Sequence, residues 1–267
     1  MAVAYSMMTR WDICVYVMAL QRWLQKPKYR HVRAINVLVR WLHRHPRRLL
    51  YRWMNCTRTL ECHSDSGFRR EEDKEGLVDG RSARGANFLR MGRDASDKEV
   101  CHFLDAQVGM TKVAVRSTFT AETHSVISTV DNAICLATTL HEIVCGPLAW
   151  SGAKRLTDEA GLYFQILVVT DAKNLLSALK VMNLKTPTEK NFLVHLAWLK
   201  DKLTCGVLHQ LIWCDTRDMN ADGHTKGCIK RDLLHSLMDG WRLIRHEREI
   251  LQIHKPYHSM LPFEKQI

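Results

Sequence analysis

The sequence contains no apolar run of about 18 residues or more, which excludes a membrane-spanning helix on length alone. It has no leader-type opening either. Residues 1–9 are few and weakly apolar, and the apolar stretch 13–20 runs into Arg22, Lys26 and Lys28 without a small-residue cleavage site. None of its 9 cysteines is paired at C-x-x-C spacing, so neither a zinc ribbon nor a dithiol redox motif is supported. There is no internal repeat and no low-complexity tract. Acids are nearly missing from residues 1–54, where Asp12 stands alone against eleven Lys or Arg. The first three absences predict a soluble, intracellular chain whose thiols stay reduced and mostly buried.

What is present fits a globular protein. The 267 residues are 46% hydrophobic and 25% charged, enough for one large domain or one domain plus a smaller flank. The net charge of +11 falls almost wholly on residues 1–54; the remainder holds 28 bases and 27 acids. A segment so one-sided fits a polyanion partner, most often nucleic acid, and equally a solvated helix face.

Periodicity predicts helices at 9–24 and 30–44, the second with Ile35, Leu38, Val39 and Leu42 on one stripe. Arg33, Arg40 and Arg44 group off that stripe, and Arg47 and Arg48 follow; these five are the candidate nucleic-acid contacts. Trp11, Trp23, Trp41 and Trp53 interleave with the arginines and serve either base stacking or, more commonly, helix packing. Short strands are predicted at 49–53, 59–63, 86–91 and 113–116, with a charged, Gly-rich loop over 69–85 and a turn over 92–98. A long helix is predicted over 120–144, stopped by Gly146-Pro147. The β-type run 166–169 suits a central strand. Helices at 172–181 and 188–203, a strand at 207–213 and short helices at 221–226 and 231–237 complete the series. The tail 241–267 is basic and reads as partly disordered. Hairpin-linked strands followed by alternating helices and strands predict a mixed α/β sheet with helices on its faces.

Four carboxylates fall where elements begin or end. Asp65 follows the first strand of the sheet, Glu122 opens the long helix, Asp171 follows the apolar strand, and Asp222 opens a short helix after the last strand. Singly, each is better read as a turn or capping residue. Together they could converge, and converging carboxylates repel unless cations neutralise them. Hard divalent ions with oxygen ligands answer that need. Two such ions about 4 Å apart form the clamp used for in-line phosphoryl displacement.

The segments Ser64-Asp-Ser-Gly-Phe68, Arg116-Ser-Thr-Phe-Thr-Ala-Glu122, Thr170-Asp-Ala-Lys-Asn-Leu175 and Ala221-Asp-Gly-His-Thr-Lys226 resemble the ribonuclease H domain of copia-type retrotransposon Pol polyproteins. Upstream, Arg10-Trp-Asp-Ile with Lys26-Pro-Lys-Tyr-Arg-His31 and Ala34-Ile-Asn-Val-Leu-Val-Arg-Trp-Leu42 is similar to the end of the reverse transcriptase that precedes that nuclease. The likeness covers residues 10–240 and departs at Gly67, Phe68, Ala172 and an insertion over 146–161. It implies a ribonuclease H-like five-stranded mixed sheet over 57–240, a basic helical segment over 1–56 and a basic tail over 241–267. It also implies two Mg²⁺ ions, or Mn²⁺ in their place. Asp65 would bridge both metals, with Glu122 and Asp171 on the leaving-group side and Asp222 on the side that activates water. Ser64, Ser117 and Thr225 would support them, and His209 could approach from the last strand. The implied reaction cuts the RNA strand of an RNA–DNA hybrid, and the implied partner is an upstream reverse transcriptase in a longer polyprotein. With no Tyr-x-Asp-Asp motif, the chain carries no polymerase centre and reads as a C-terminal piece of Pol, intact or decayed. The alternative is an inactive nucleic-acid-binding remnant.

Overall fold

Along residues 60–65, apolar Leu60 and Cys62 alternate with polar Glu61, His63 and Asp65, a period of two that gives a strand with unlike faces. The computed structural model describes residues 2–67, 82–111, 114–181 and 192–253. Helices α1 (Ala2–Tyr5), α2 (Cys14–Gln21) and α3 (Tyr29–Arg44) come first. Strands β1 (Asn55–Gly67), β2 (Ala83–Arg93) and β3 (Glu99–Met110) follow, then helices α4 (Thr118–Cys145) and α5 (Trp150–Asp158). Next are β4 (Gln165–Thr170), α6 (Lys173–Lys180), α7 (Phe192–Thr204) and β5 (Leu208–Cys214). Two short helices, α8 (Asp222–Thr225) and α9 (Asp232–Met238), lead to β6 (Arg248–Leu251).

The strands form one mixed sheet in the order β3-β2-β1-β4-β5-β6. β1, β4 and β5 run parallel; β2, β3 and β6 join antiparallel to their neighbours. The mixed α/β architecture is as expected, but the described sheet has six strands, not five. The extra one, β6, lies in the segment read as a partly disordered tail. Its signal is weak because only Leu251 of its four residues is buried. Two other expectations fail. The third strand is Glu99–Met110, not 113–116, since residues 94–98 make a tight hairpin turn that returns the chain at once. Residues 49–53 are irregular; Leu50 donates its N–H to the Met238 carbonyl instead of joining a ladder. The predicted 9–24 helix divides into a 3-10 turn at Trp11–Ile13 and α2. Most of the predicted 69–85 loop and the first residues of the 188–203 helix lie outside the described residues.

One face of the sheet is apolar. Leu60, Cys62, Phe88, Ile166, Val168 and Leu211 pack there against Val126, Val130 and Ala133 of α4, with Leu176 of α6 and Leu199 of α7. The opposite face receives Trp11 and Cys14 from the N-terminal segment and Leu234, Leu237 and Met238 from α9, over Leu89, Met91, Cys101 and Phe103. α3 buries only Leu38, which joins Ile13 and Val17 of the α2 region. Among the described residues no helix is long and apolar enough to cross a membrane.

Candidate metal centre

Parallel pairing of β1 with β4 sets His63 opposite Val169. Two residues further along the chain come Asp65, still on β1, and Asp171, just past the end of β4, at the same end of the sheet. β5 runs beside β4 with Trp213 opposite Thr170, so the chain leaves β5 at that end too and turns into α8, which opens with Asp222. α4 starts there as well. Ser117 caps it, accepting from the Thr120 N–H, and Glu122 is the fifth residue of the helix. Ser125, one turn on, donates to the Asp65 carbonyl at 2.8 Å, and Ser64 donates to Ser125 at 3.0 Å. These bonds fasten the helix that carries Glu122 to the strand that carries Asp65.

Three of the four acids meet. One carboxylate oxygen each from Asp65, Glu122 and Asp171 lies within 4.8 Å of the others. Asp222 reaches toward the cluster from α8, and its charge acts on Asp65. Thr225 donates to Asp65 Oδ2, and Thr216 donates to Asp171 Oδ2 at 3.0 Å. Asp65 is 1% exposed and Glu122 7%, yet Asp65 Oδ1 and Glu122 Oε2 have no hydrogen-bond partner. A buried carboxylate oxygen left without a donor is costly, and a divalent cation is what such a set of oxygens is chemically suited to bind.

The titration behaviour points the same way. Burial first, and then the charge of Asp222, pushes the Asp65 carboxyl up to about 6. Burial, and then Asp65 and Asp171, pushes Glu122 up to about 9. Asp171 and Asp222 are also raised, in each case chiefly by burial. Ionised together, these groups repel one another, and a bound dication would reverse the sign of that interaction.

Neighbouring residues absent from the sequence reasoning hold the site in shape. Gly85 pairs with Asp65 on the β1–β2 ladder, and a Cβ there would fall 2.6 Å from the His224 Cβ. The missing side chain is what lets α8 sit down on β2. His224 is fully buried and meets Asn87 Oδ1 at 2.5 Å. Burial pushes its imidazole down to about 3, so it holds α8 as a neutral ring. Lys226, the last residue of the quoted ADGHTK segment, bonds Asp222 and stands 3.7 Å from Asp65 Oδ1. His209 lies at the start of β5, the end remote from Asp171, so it does not approach the cluster.

The five arginines separate. Arg33, Arg40, Arg44 and Arg48 are exposed, whereas Arg47 is bound by Asp239 at 2.8 Å. The N-terminal segment adjoins the acidic end through α2: the Tyr16 hydroxyl donates to the Gly227 carbonyl at 2.7 Å, one residue past Lys226. Of the tryptophans, Trp11 packs inside on Phe103, while Trp23 stacks on His31 beneath Arg30. Trp53 is 67% exposed.

No protein-family model and no curated protein matches the sequence. Among solved structures, the chain is similar to the NurA nuclease from Sulfolobus solfataricus at 11% identity and a TM-score of 0.26. That match covers 77% of this chain, which spans 63% of the length of the nuclease. A likeness of that size assigns no residue and no activity.

Proposed function

We propose that the chain is a metal-dependent nuclease of ribonuclease H type that hydrolyses the RNA strand of RNA–DNA hybrids. We further propose that it derives from a retrotransposon Pol polyprotein, with residues 57–240 as the nuclease unit and a reverse transcriptase as its upstream partner. The observation that carries the nuclease reading is the convergence of three carboxylates, two of them buried and each of those two with an oxygen that no donor satisfies. The resemblance of the four motifs supports the choice of substrate.

Asp65, Glu122, Asp171 and Asp222 would hold the ions. Bound there, Mg²⁺ supplies an acidified water and neutralises charge on the phosphate. The chain's own part is positioning. Ser125 and Ser64 hold the β1 end against α4, Thr225 fixes one Asp65 oxygen, and Thr216 fixes one Asp171 oxygen. Preference for the RNA strand rests on the 2′-hydroxyl, the one group that DNA lacks.

The test is cleavage of a labelled hybrid by the purified chain with Mg²⁺ or Mn²⁺, with EDTA, and beside Asp65→Asn and Asp171→Asn. The expected result is cutting of the RNA strand alone, abolished by EDTA and lowered at least about a thousandfold in each variant, about 4 kcal/mol of barrier. Both variants should melt above the wild type without metal, because each removes a repelled charge. Equal cutting by wild type and variants would refute the assignment.

A second reading, binding without turnover, is favoured by the exposed Arg33, Arg40, Arg44 and Arg48. It expects hybrid binding that weakens steeply with salt and is untouched by Asp65→Asn. Changing Arg33, Arg40 and Arg44 to Ala would then lower the salt slope by about 1 per residue.

A further inference from the structure

The oxygens a divalent ion would use are already contested by a cation of the chain itself. Lys226 Nζ donates to Asp222 Oδ1 and lies 3.7 Å from Asp65 Oδ1. Asp65 Oδ1 is the oxygen without a hydrogen bond; Thr225 occupies the other. An ion held through Asp65 Oδ1 would therefore meet the ammonium beside that oxygen.

The backbone around Lys226 is pinned on both sides. Tyr16 holds the Gly227 carbonyl, Arg231 donates to the Gly223 carbonyl at 2.6 Å, and the Lys226 N–H bonds the Asp222 carbonyl at 2.9 Å. The side chain is one-third exposed. Any yielding is thus confined to a flexible four-carbon stem that opens to solvent, whereas Arg at the same place would keep its charge on a planar fork.

We infer that Lys226 is a built-in competitor of the divalent ion, holding the affinity of the acidic cluster for free metal down. This rests on the metal-centre reading above and assigns Lys226 a role that a helix-surface ion pair would not have. Binding of a cation and retention of the Lys226 contact exclude each other, so the two are coupled, and coupling is reciprocal. Whatever draws Lys226 away tightens the metal, and metal at the cluster frees an ammonium at its rim.

The test is calorimetric titration of Mn²⁺ into the full chain without nucleic acid. Wild type is compared with Lys226→Gln, with Lys226→Met, which keeps the stem, and with Lys226→Arg, which keeps the charge. Asp65→Asn serves as the site control, and each variant is first checked for a cooperative thermal transition. The expected result is about tenfold tighter Mn²⁺ binding in the two neutral variants, within the usual span of coupled sites. Lys226→Arg should bind like the wild type. Unchanged or weaker binding in the neutral variants, beside measurable binding by wild type, would overturn the competitor role and leave the metal centre standing. Absence of Mn²⁺ binding in every form, with Asp65→Asn indistinguishable from wild type, would overturn the metal centre and the competitor together.

Discussion

On one face of the sheet Leu60, Cys62, Phe88, Ile166 and Val168 meet apolar residues of α4, α6 and α7. On the other face Glu61, His63 and Asp65 alternate with them along the same strand and meet partners that bear charge or donate hydrogen bonds. Glu61 is bound by Arg242 at 2.6 Å and by His63 at 2.7 Å, with Arg248 at 3.7 Å, and all but Arg248 are nearly closed to solvent. Across β2, His63 is paired with Asn87, which holds His224 and so α8. Apolar contact is non-directional, so the first face supplies cohesion without aim. Buried polar groups are tolerated only with particular partners in particular places. The second face therefore fixes where α8 and the residues after it lie, and Asp222 with them.

The contrast can be broken experimentally. The largest effect is expected from Arg242→Ala, which leaves Glu61 buried and short of its main partner and costs about 3–5 kcal/mol in denaturant unfolding. Replacing both at once, Glu61→Leu with Arg242→Met, should recover most of that loss. A double change as costly as the single one would show that the polar face is not specified by pairing. Leu60→Ala on the apolar face should cost about 3 kcal/mol, lowering the melting temperature by roughly 6–12 °C while metal-dependent cleavage in the cold persists.

A third effect tests the polar face by pH. Burial raises the Asp12 carboxyl, but hydrogen bonds from His235 and Arg10 outweigh it and bring the group to about 2, below its ordinary value of 3.8. A carboxyl held lower in the folded state contributes stability above about pH 4 and loses it as pH falls through about 2. The contribution is about 2 kcal/mol at neutral pH. Acid titration of stability should show this step in the wild type and lack it in Asp12→Asn. The smallest effect is Ser117→Ala, which removes the α4 cap and costs about 1 kcal/mol. Because Glu122 lies in the second turn from that cap, cleavage should fall by more than the stability change explains, and assay at fixed folded fraction would show it.

Elements with a strong period were legible in the sequence. The four-residue run 166–169 became the centre of β4, and the stripe through Val126, Val130, Ile134 and Ala137 became the buried side of α4. The same holds for the acids, because each sits beside an element boundary that local chemistry marks. What escaped depends on contacts distant in sequence. β6 is an edge strand with one buried side chain, and nothing local distinguishes it from a loop. Asn87 and His224 lie 137 positions apart, and each alone reads as an ordinary polar residue. Lys226 stood inside a quoted motif, but its approach to Asp65 Oδ1 appears only once α8 has been placed on β2.

β6 also bears on how this molecule is made. It pairs along the outer side of β5 through residues 248–251. Until those residues emerge from the ribosome, every second residue along 211–214 turns its backbone N–H and C=O outward as an open ladder. A nascent chain at that stage can pair with a second chain, and one cut short before residue 248 keeps that hazard permanently. Four residues thus separate a chain whose β5 edge is covered from one that can nucleate aggregates.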